Sequence, residues 1–327
     1  MKLPKPICNL ICLFIFKKKN RKHFRNKYMY CSQQKNIQQE LSNIKNILFR
    51  FINGFYKPQD YNKATGSLRK IQLVNILLLE KFKKVCDEND IKFWLQGGTL
   101  LGAIRHKGFI PWDDDCDLGI MREDFNKIKK ILETNDKYNI TIKDYFHLKY
   151  EGCICKIPKI VFKDNIRVFI DLFVYDYKDC KNSEDYDSIW NNFISTKEKI
   201  IKEIIDMKLH YDWDTLENNQ KELQFFENYF NNYIKDWQTY KNKDYIIFGI
   251  ENFKPDFKRF YKYDTIFPLK ELEFEGNTYY VPNNYDEYLT RQYGDYMKLP
   301  KDFGVQKHIS NIYIEKLNEF LSTNMDK

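Results

Sequence analysis

The sequence predicts an α+β fold, in which helices and a mixed set of strands share one core. The chain has 327 residues and is 43% hydrophobic, enough to bury a sizeable core. From Leu68 to Val85, apolar residues recur every three or four positions, which predicts a long amphipathic helix ending near Asn89. The stretch "RVFIDLFVYD" (167–176) is almost continuously apolar, as in a strand buried on both faces.

The other elements follow from the same patterns and from Gly and Pro positions. Early in the chain we expect a strand at 91–96, a short helix from Thr99 to about His106, a strand at 115–121 and a helix from about 123 to 132. Later we expect weaker strands near 138–143 and 159–163, helical composition over 184–247, a hairpin at 272–282 turning at Gly276-Asn277, and a helix at 285–293.

The net charge of +8 belongs to one end of the chain. Residues 1–30 hold nine Lys and Arg and no acid, which leaves 45 basic against 46 acidic residues in the remainder. A body with a net charge of −1 argues against an extended nucleic-acid surface, so we predict no nucleic-acid partner.

The basic end also carries an apolar run from Ile7 to Phe16. Ten residues are too few to span a bilayer, which takes about 20, and the basic residues follow the run, the reverse of a secretory signal. This pattern suits an anchor on an anionic membrane surface; a segment that packs on its own domain is the alternative. The eight cysteines form no secreted framework. We therefore expect a cytoplasmic protein, peripheral on the inner face of the membrane.

Four aspartates crowd together at Asp113, Asp114, Asp115 and Asp117. Acids this close repel one another unless a positive charge lies among them. Because side chains alternate along a strand, Asp115 and Asp117 should point the same way, and Asp171, inside an apolar strand, could add a third carboxylate. Such oxygens predict a Mg²⁺ or Mn²⁺ site at Asp115, Asp117 and Asp171. An acidic turn, and a buried Asp171 that only holds a loop, are the alternatives.

Gly97, Gly98 and Thr99 stand between a predicted strand and a predicted helix. Without a Cβ, a phosphate can approach the backbone, and a helix start offers free N–H groups. Alone this is a weak signal. With paired aspartates beginning 16 residues after Thr99, it predicts phosphoryl or nucleotidyl transfer. No Gly-Lys-Ser/Thr follows, so this is not a Walker A loop.

The stretch "GGTLLGAIRHKGFIPWDDDCDLGI" (97–120) resembles the signature of the LicD family, the phosphocholine transferases of bacterial surface glycans, whose relatives fukutin and fukutin-related protein transfer ribitol phosphate. "FIDLFVYD" (169–176) resembles the second family motif, and "YLTRQYGDYMKLP" (288–300) with His308 resembles its C-terminal end. The resemblance covers roughly residues 67–310; Cys116 stands where the family often has an aliphatic residue, and 184–247 resembles nothing we can name.

The resemblance implies a nucleotidyltransferase-like mixed β-sheet flanked by helices, with a C-terminal helical and hairpin extension. Composition and the resemblance together divide the chain into a basic, apolar membrane-proximal segment (1–30), a polar linker (31–66), a catalytic domain (67–315) and a tail (316–327). On this view the protein acts at the inner face of the bacterial cytoplasmic membrane.

The implied donor is a CDP-activated alcohol, most often CDP-choline, and the implied acceptor is a sugar hydroxyl of a lipopolysaccharide, capsule or teichoic-acid-type glycan. Metal ions at the three aspartates would bind the diphosphate, the backbone at Gly97–Thr99 would hold its oxygens, and the acceptor hydroxyl would displace CMP. No general base is obvious. Asp113 could accept the proton of the acceptor hydroxyl, or a bound metal ion could lower the pKa of that hydroxyl. Further candidates for contacts to phosphate are Arg105, His106, Lys107 and Lys156, with His308 a remote candidate. The alternatives are a cation that stabilises the end of a helix, for the first three, and a structural histidine, for His308.

Three other functions remain open from the sequence. The transferred group could be ribitol or glycerol phosphate, or the enzyme could add a nucleotide from an NTP and release pyrophosphate. A non-catalytic, membrane-bound scaffold that binds a nucleotide is the third, although such a protein has no chemical need for three metal-binding carboxylates.

Overall fold

The computed structural model describes residues 62–149, 153–164, 166, 168–179, 183–206, 220–237, 242–252, 259–298 and 314–324, with Leu41 and Ile44 as isolated positions. The predicted membrane-proximal segment, most of the predicted linker and His308 lie outside the described residues. The chain divides into two compact units, and the elements below belong to the one that comprises 58–297 and 304–327.

Eight α-helices, one short 3-10 helix (Asp136–Tyr138) and nine strands are described. The helices are α1 (Gly66–Glu88), α2 (Gly97–His106), α3 (Arg122–Thr134), α4 (Ser183–Asp206), α5 (Gln220–Trp237), α6 (Tyr263–Ile266), α7 (Tyr285–Tyr293) and α8 (Ile314–Asn324). The strands are β1 (Phe93–Leu95), β2 (Asp117–Met121), β3 (Ile140–Lys149), β4 (Cys153–Phe162), β5 (Phe169–Lys178), β6 (Tyr245–Phe248), β7 (Phe260–Lys262), β8 (Lys270–Phe274) and β9 (Asn277–Val281).

Seven of the described strands form one mixed sheet. Five of them follow the order β1-β2-β5-β4-β3, and β6 and β7 extend the sheet from β5. Only the β2–β5 pairing is parallel, and β5 is central because its first half pairs with β4 and its second half with β6, which in turn pairs with β7. Strands β8 and β9 form a separate hairpin. A mixed sheet flanked by helices confirms the predicted α+β class with a nucleotidyltransferase-like arrangement.

The core follows the predicted periodicities. Helix α1 buries Val74, Leu78 and Phe82 on one stripe, and β5 is buried along most of its length, as the apolar run predicted. Close packing at β2 requires a glycine, because a Cβ on Gly119 would overlap the indole ring of Trp94.

One face of the sheet buries a charge network. The guanidinium of Arg122, the first residue of α3, donates to the carboxylates of Asp176 on β5 and Glu251, and all three side chains are almost fully buried. Burial opposes the charge on Arg122, but the two carboxylates still raise its pKa above the ordinary value. Removing one partner of such a group leaves an uncompensated buried charge.

The structure differs from the sequence prediction in three segments. Strands β3 and β4 form one long hairpin with ten residues in each strand, where two short separate strands were expected. Residues 245–248 form a strand, although the surrounding composition predicted helix, because they complete the edge of β5. Within the segment expected to be a tail, residues 316–324 lie in helix α8, which buries Leu317, Phe320 and Leu321. None of the described helices has the length and apolar character needed to cross a membrane.

Candidate active site

Three charged side chains lie in one row across the sheet. Asp117 pairs in register with Asp171 across the parallel β2–β5 ladder, and Asp171 pairs with Lys159 across the antiparallel β5–β4 ladder. Residues paired in register present their side chains on the same face. The ammonium of Lys159 forms an ion pair with Asp171 Oδ1. The sequence prediction that Asp171 adds a carboxylate from a neighbouring strand therefore agrees with the register.

The other carboxylates precede β2 in an ordered loop. Strand β2 begins at Asp117, two residues later than expected, so Asp115 lies in the loop. One carboxylate oxygen from each of Asp113, Asp114 and Asp115 lies within 4.8 Å of the other two. Among the described residues, these three form the group whose potential metal-ligand atoms are that close together. The predicted trio of Asp115, Asp117 and Asp171 shares Asp115 with this set.

Helix α1 holds this acidic loop in place. The Gln72 side-chain amide donates to the carbonyl of Asp113 at 2.9 Å, and the Asn75 amide donates to the carbonyl of Asp114 at 3.1 Å. Both amides are buried. The loop's backbone is thus fixed by polar groups that take no part in the carboxylate cluster.

The two glycines at the start of α2 leave room for two of the carboxylates. Gly97 has a φ of +56°, and a Cβ placed on it would lie 2.6 Å from Asp117 Oδ2; a Cβ on Gly98 would lie 2.8 Å from Asp113 Oδ2. Thr99 accepts a hydrogen bond from the Asp117 backbone N–H at 2.8 Å. The predicted phosphate turn and the predicted metal site are therefore one surface, with the carboxylates against the helix N-terminus.

Burial and crowding make the ionised carboxylates costly. Burial raises the pKa of Asp113 to about 9, and the charge of Asp115 adds to the rise. Burial also raises the pKa of Asp117 well above its usual value, with Asp115 and Asp171 adding to the rise and nearby cations opposing it. A cation bound among these oxygens would relieve that cost, and a set of carboxylates without nitrogen or sulfur ligands fits a hard ion such as Mg²⁺ or Mn²⁺.

The fold adds three residues that sequence reasoning did not select. Lys159 pairs with Asp171, and a lysine within the apolar "IPKIVF" of β4 was a usable signal for it. The buried guanidinium of Arg259 lies 4.8 Å from the ring centroid of Phe248, and its charge opposes the rise in the pKa of Asp117. Desolvation and the charges of Asp117 and nearby acids raise the pKa of Tyr293, at the end of α7. Only tertiary structure brings Arg259 and Tyr293 to the acids.

The candidates for phosphate contacts are distributed differently. Arg105 is buried and donates to the carbonyl of Tyr296 at 3.1 Å. His106 packs edge-on against Trp112, with 6.3 Å between ring centroids. Lys107 follows the C-terminal end of α2, and its exposed ammonium lies 3.7 Å from Glu273 on β8.

Lys156 lies on the opposite face of β4 from Lys159, since the two are three positions apart and side chains alternate along a strand. Its ammonium lies 3.1 Å from Asp144 Oδ2, and it lines a pocket of about 260 Å³ together with Arg122, Lys129 and residues of α5. The structure therefore places Lys159 on the same face of the sheet as the carboxylate row, and Lys156 on the opposite face.

Comparison with known proteins gives consistent similarities. A family model described as "LicD/FKTN/FKRP, nucleotidyltransferase domain" matches residues 90–210, a span that includes the glycine turn, the acidic loop and Asp171. The chain is 31% identical over 271 residues to lipopolysaccharide cholinephosphotransferase LicD of Haemophilus influenzae, covering 76% of this chain and 98% of that protein.

Two human proteins are similar over shorter spans. The chain is 29% identical over 158 residues to ribitol-5-phosphate transferase FKTN, covering 43% of this chain and 30% of that protein. It is 47% identical over 47 residues to ribitol 5-phosphate transferase FKRP, covering 14% of this chain and 10% of that protein.

Proposed function

This chain belongs to the LicD family, and on that premise we propose that it transfers phosphocholine from CDP-choline to a sugar hydroxyl of a lipopolysaccharide, capsule or teichoic-acid-type glycan. The resemblance predicted from the motifs is confirmed. The chain is a transferase, and its relatives are named for the transfer of choline phosphate or ribitol phosphate. The observation that carries the choice of phosphocholine is the match along 98% of the Haemophilus cholinephosphotransferase.

Asp115, Asp117 and Asp171 are the proposed ligands of Mg²⁺ or Mn²⁺. The support is a row and a loop of carboxylates, in which burial and mutual crowding raise the pKa values of Asp113 and Asp117. A bound divalent ion would neutralise and orient the diphosphate of the donor. Asp113 and Asp114 offer additional oxygens, because they form the closest set with Asp115.

The chain's own groups would position and activate the substrates. Backbone N–H groups at Gly97–Thr99, at the positive end of the α2 dipole, would bind phosphate oxygens beside the carboxylates. The acceptor hydroxyl oxygen bonds to the phosphorus that bears choline, the bond from that phosphorus to CMP breaks, and CMP leaves. Asp113 is the proposed acceptor of the hydroxyl proton, because its carboxylate lies against Gly98, beside the backbone groups proposed to hold the phosphate oxygens.

Transfer of ribitol phosphate, or of the related glycerol phosphate, is the second candidate. It is favoured by similarity to two proteins named ribitol phosphate transferases. The two reactions share the diphosphate chemistry and differ in the alcohol, so the same carboxylates would serve both.

Phosphorus NMR would identify the reaction. The purified protein with Mg²⁺ is incubated with surface glycan and with CDP-choline, CDP-ribitol, CDP-glycerol or mixed NTPs, each separately. We expect CMP from CDP-choline only, no CMP with Asp117→Asn, and normal release with Asp136→Asn, whose carboxylate is 96% exposed. CMP from CDP-ribitol only would select the second candidate. Pyrophosphate from an NTP, without turnover of any CDP-alcohol, would reject both.

Residues 1–30 are proposed to hold the enzyme at the inner face of the bacterial cytoplasmic membrane, where lipid-linked glycan is made. The support is nine basic residues beside a ten-residue apolar run. The full chain should pellet with anionic liposomes, and a form lacking residues 1–30 should not. Equal pelleting of the two forms would remove this part of the proposal.

A further inference from the structure

Lys159 occupies a position that neither the motifs nor the family membership explains. Its side chain is 7% exposed, and it pairs with Asp171, whose side chain is 17% exposed. A buried ammonium is costly unless an acid compensates it. Asp171 supplies that compensation, yet Asp171 is also the carboxylate proposed to bind a metal ion.

The surroundings hold the ammonium beside the carboxylate row. The Lys159 Nζ lies 3.5 Å from the ring centroid of Phe169 and 5.8 Å from that of Tyr145, within the range of cation–π attraction. Its charge also opposes the rise in the pKa of Asp117, one strand further along the row. The lysine therefore acts on two of the proposed metal ligands from one side.

We propose that Lys159 exchanges partners during the reaction: it neutralises Asp171 while no metal ion is bound, and it binds a phosphate oxygen of the donor once Asp171 takes a metal ion. Lysine suits this exchange because its ammonium is a point charge on a flexible four-carbon stem with three rotatable donors. The exchange moves one ammonium from a carboxylate to a phosphate and changes no covalent bond. The inference rests on the proposed function, since it assigns a phosphate contact to that site.

Metal binding without nucleotide tests the first half. Mn²⁺ affinity is measured by electron paramagnetic resonance for the wild type, Lys159→Met and Lys159→Arg. Removing the competing ammonium should tighten Mn²⁺ binding by about tenfold, the low end of the effect of one charge within 4–6 Å of a carboxylate. Lys159→Arg keeps the charge and should stay near the wild type. Unchanged or weaker binding by Lys159→Met would overturn the competition.

Lys156→Met is the matched control. It removes the same charge from the same strand at similar side-chain burial, 10% exposed against 7% for Lys159, but on the opposite face. Its Mn²⁺ affinity should equal that of the wild type. If Lys159→Met does not fold, Lys159→Gln replaces it, because the amide still donates to Asp171 without charge. Tighter Mn²⁺ binding is again the expected result, and unchanged binding again overturns the competition.

Nucleotide binding tests the second half. With Mn²⁺ saturating, CDP should bind Lys159→Met at least about tenfold more weakly than the wild type, the scale of one lost hydrogen bond to a charged group. Tighter Mn²⁺ binding with unchanged CDP binding would overturn the phosphate contact and leave only a counter-ion. Because neither titration needs turnover, failure of every CDP-alcohol as a donor would reject the proposed function without obscuring these results.

Discussion

Replacing Gly97 by alanine tests whether a glycine is required at this turn because the Asp117 carboxylate occupies the space of a side chain. The new Cβ would lie 2.6 Å from Asp117 Oδ2 and 3.5 Å from Asp117 Cβ and Cγ. The carboxylate must therefore move, since real Cβ contacts are not that short. Gly97 also has a left-handed φ of +56°, so Gly97→Ala adds backbone strain to the steric clash.

Gly66→Ala separates strain from clash. Gly66 has a φ of +61° but no atom within 4 Å of an added Cβ. Left-handed alanine costs about 1–2 kcal/mol, which for a domain of this size lowers the melting temperature by roughly 2–8 °C. Both variants should show this loss of stability. Alanine also lowers the conformational entropy of the unfolded chain, which offsets the loss by the same amount in both variants.

Only Gly97→Ala should lose function. Displacement of a metal-binding or substrate-positioning group by about 1 Å costs about 100-fold in rate, so Mn²⁺ affinity and transfer should fall steeply in Gly97→Ala and stay normal in Gly66→Ala. Thermal unfolding, Mn²⁺ titration and CMP release are measured on both proteins. Equal Mn²⁺ affinity and equal turnover in the two variants would refute the steric reason given for the glycine.

Three further outcomes follow from the charges. The pKa of Asp113 is raised from 3.8 to about 9, so its ionisation favours unfolding, and the stability present at low pH is lost as pH rises through that value; between roughly pH 6 and 9 the metal-free melting temperature should fall more steeply than in Asp113→Asn, and equal slopes would contradict this. Arg122→Met should cost about 3–5 kcal/mol in urea unfolding because two buried carboxylates lose their partner, whereas Lys163→Met, which removes an exposed pair, should cost at most about 1 kcal/mol; similar losses would refute the contrast. Mn²⁺ at 100 times the wild-type Kd should stabilise the wild type against unfolding by about 2.7 kcal/mol. The same Mn²⁺ concentration should stabilise Asp117→Asn much less, and equal stabilisation would place the ion elsewhere.

Local sequence patterns predicted most of the helices and strands, because the spacing of apolar residues follows which side chains are buried. Helix α1 and strand β5 were found because one has a single apolar stripe and the other is apolar throughout. The β3–β4 hairpin was underestimated because its strands mix lysines with apolar residues, so neither shows clean alternation. Residues 245–248 pair with β5, a contact between segments about 70 residues apart that local composition does not reveal.

The site divides in the same way. The sequence by itself determined which residues are candidates: the carboxylates, the glycine turn and Asp171 are recognisable from residue type and spacing, because those residue types are costly or unusual in their local context. Only the tertiary structure decided the partners. Strand register puts Lys159 rather than Lys156 beside Asp171, the return of the chain brings Arg259 and Tyr293 to the acids, and the approach of Asp117 explains Gly97. Each of these depends on the pairing and packing of elements distant in sequence, which a local pattern does not encode.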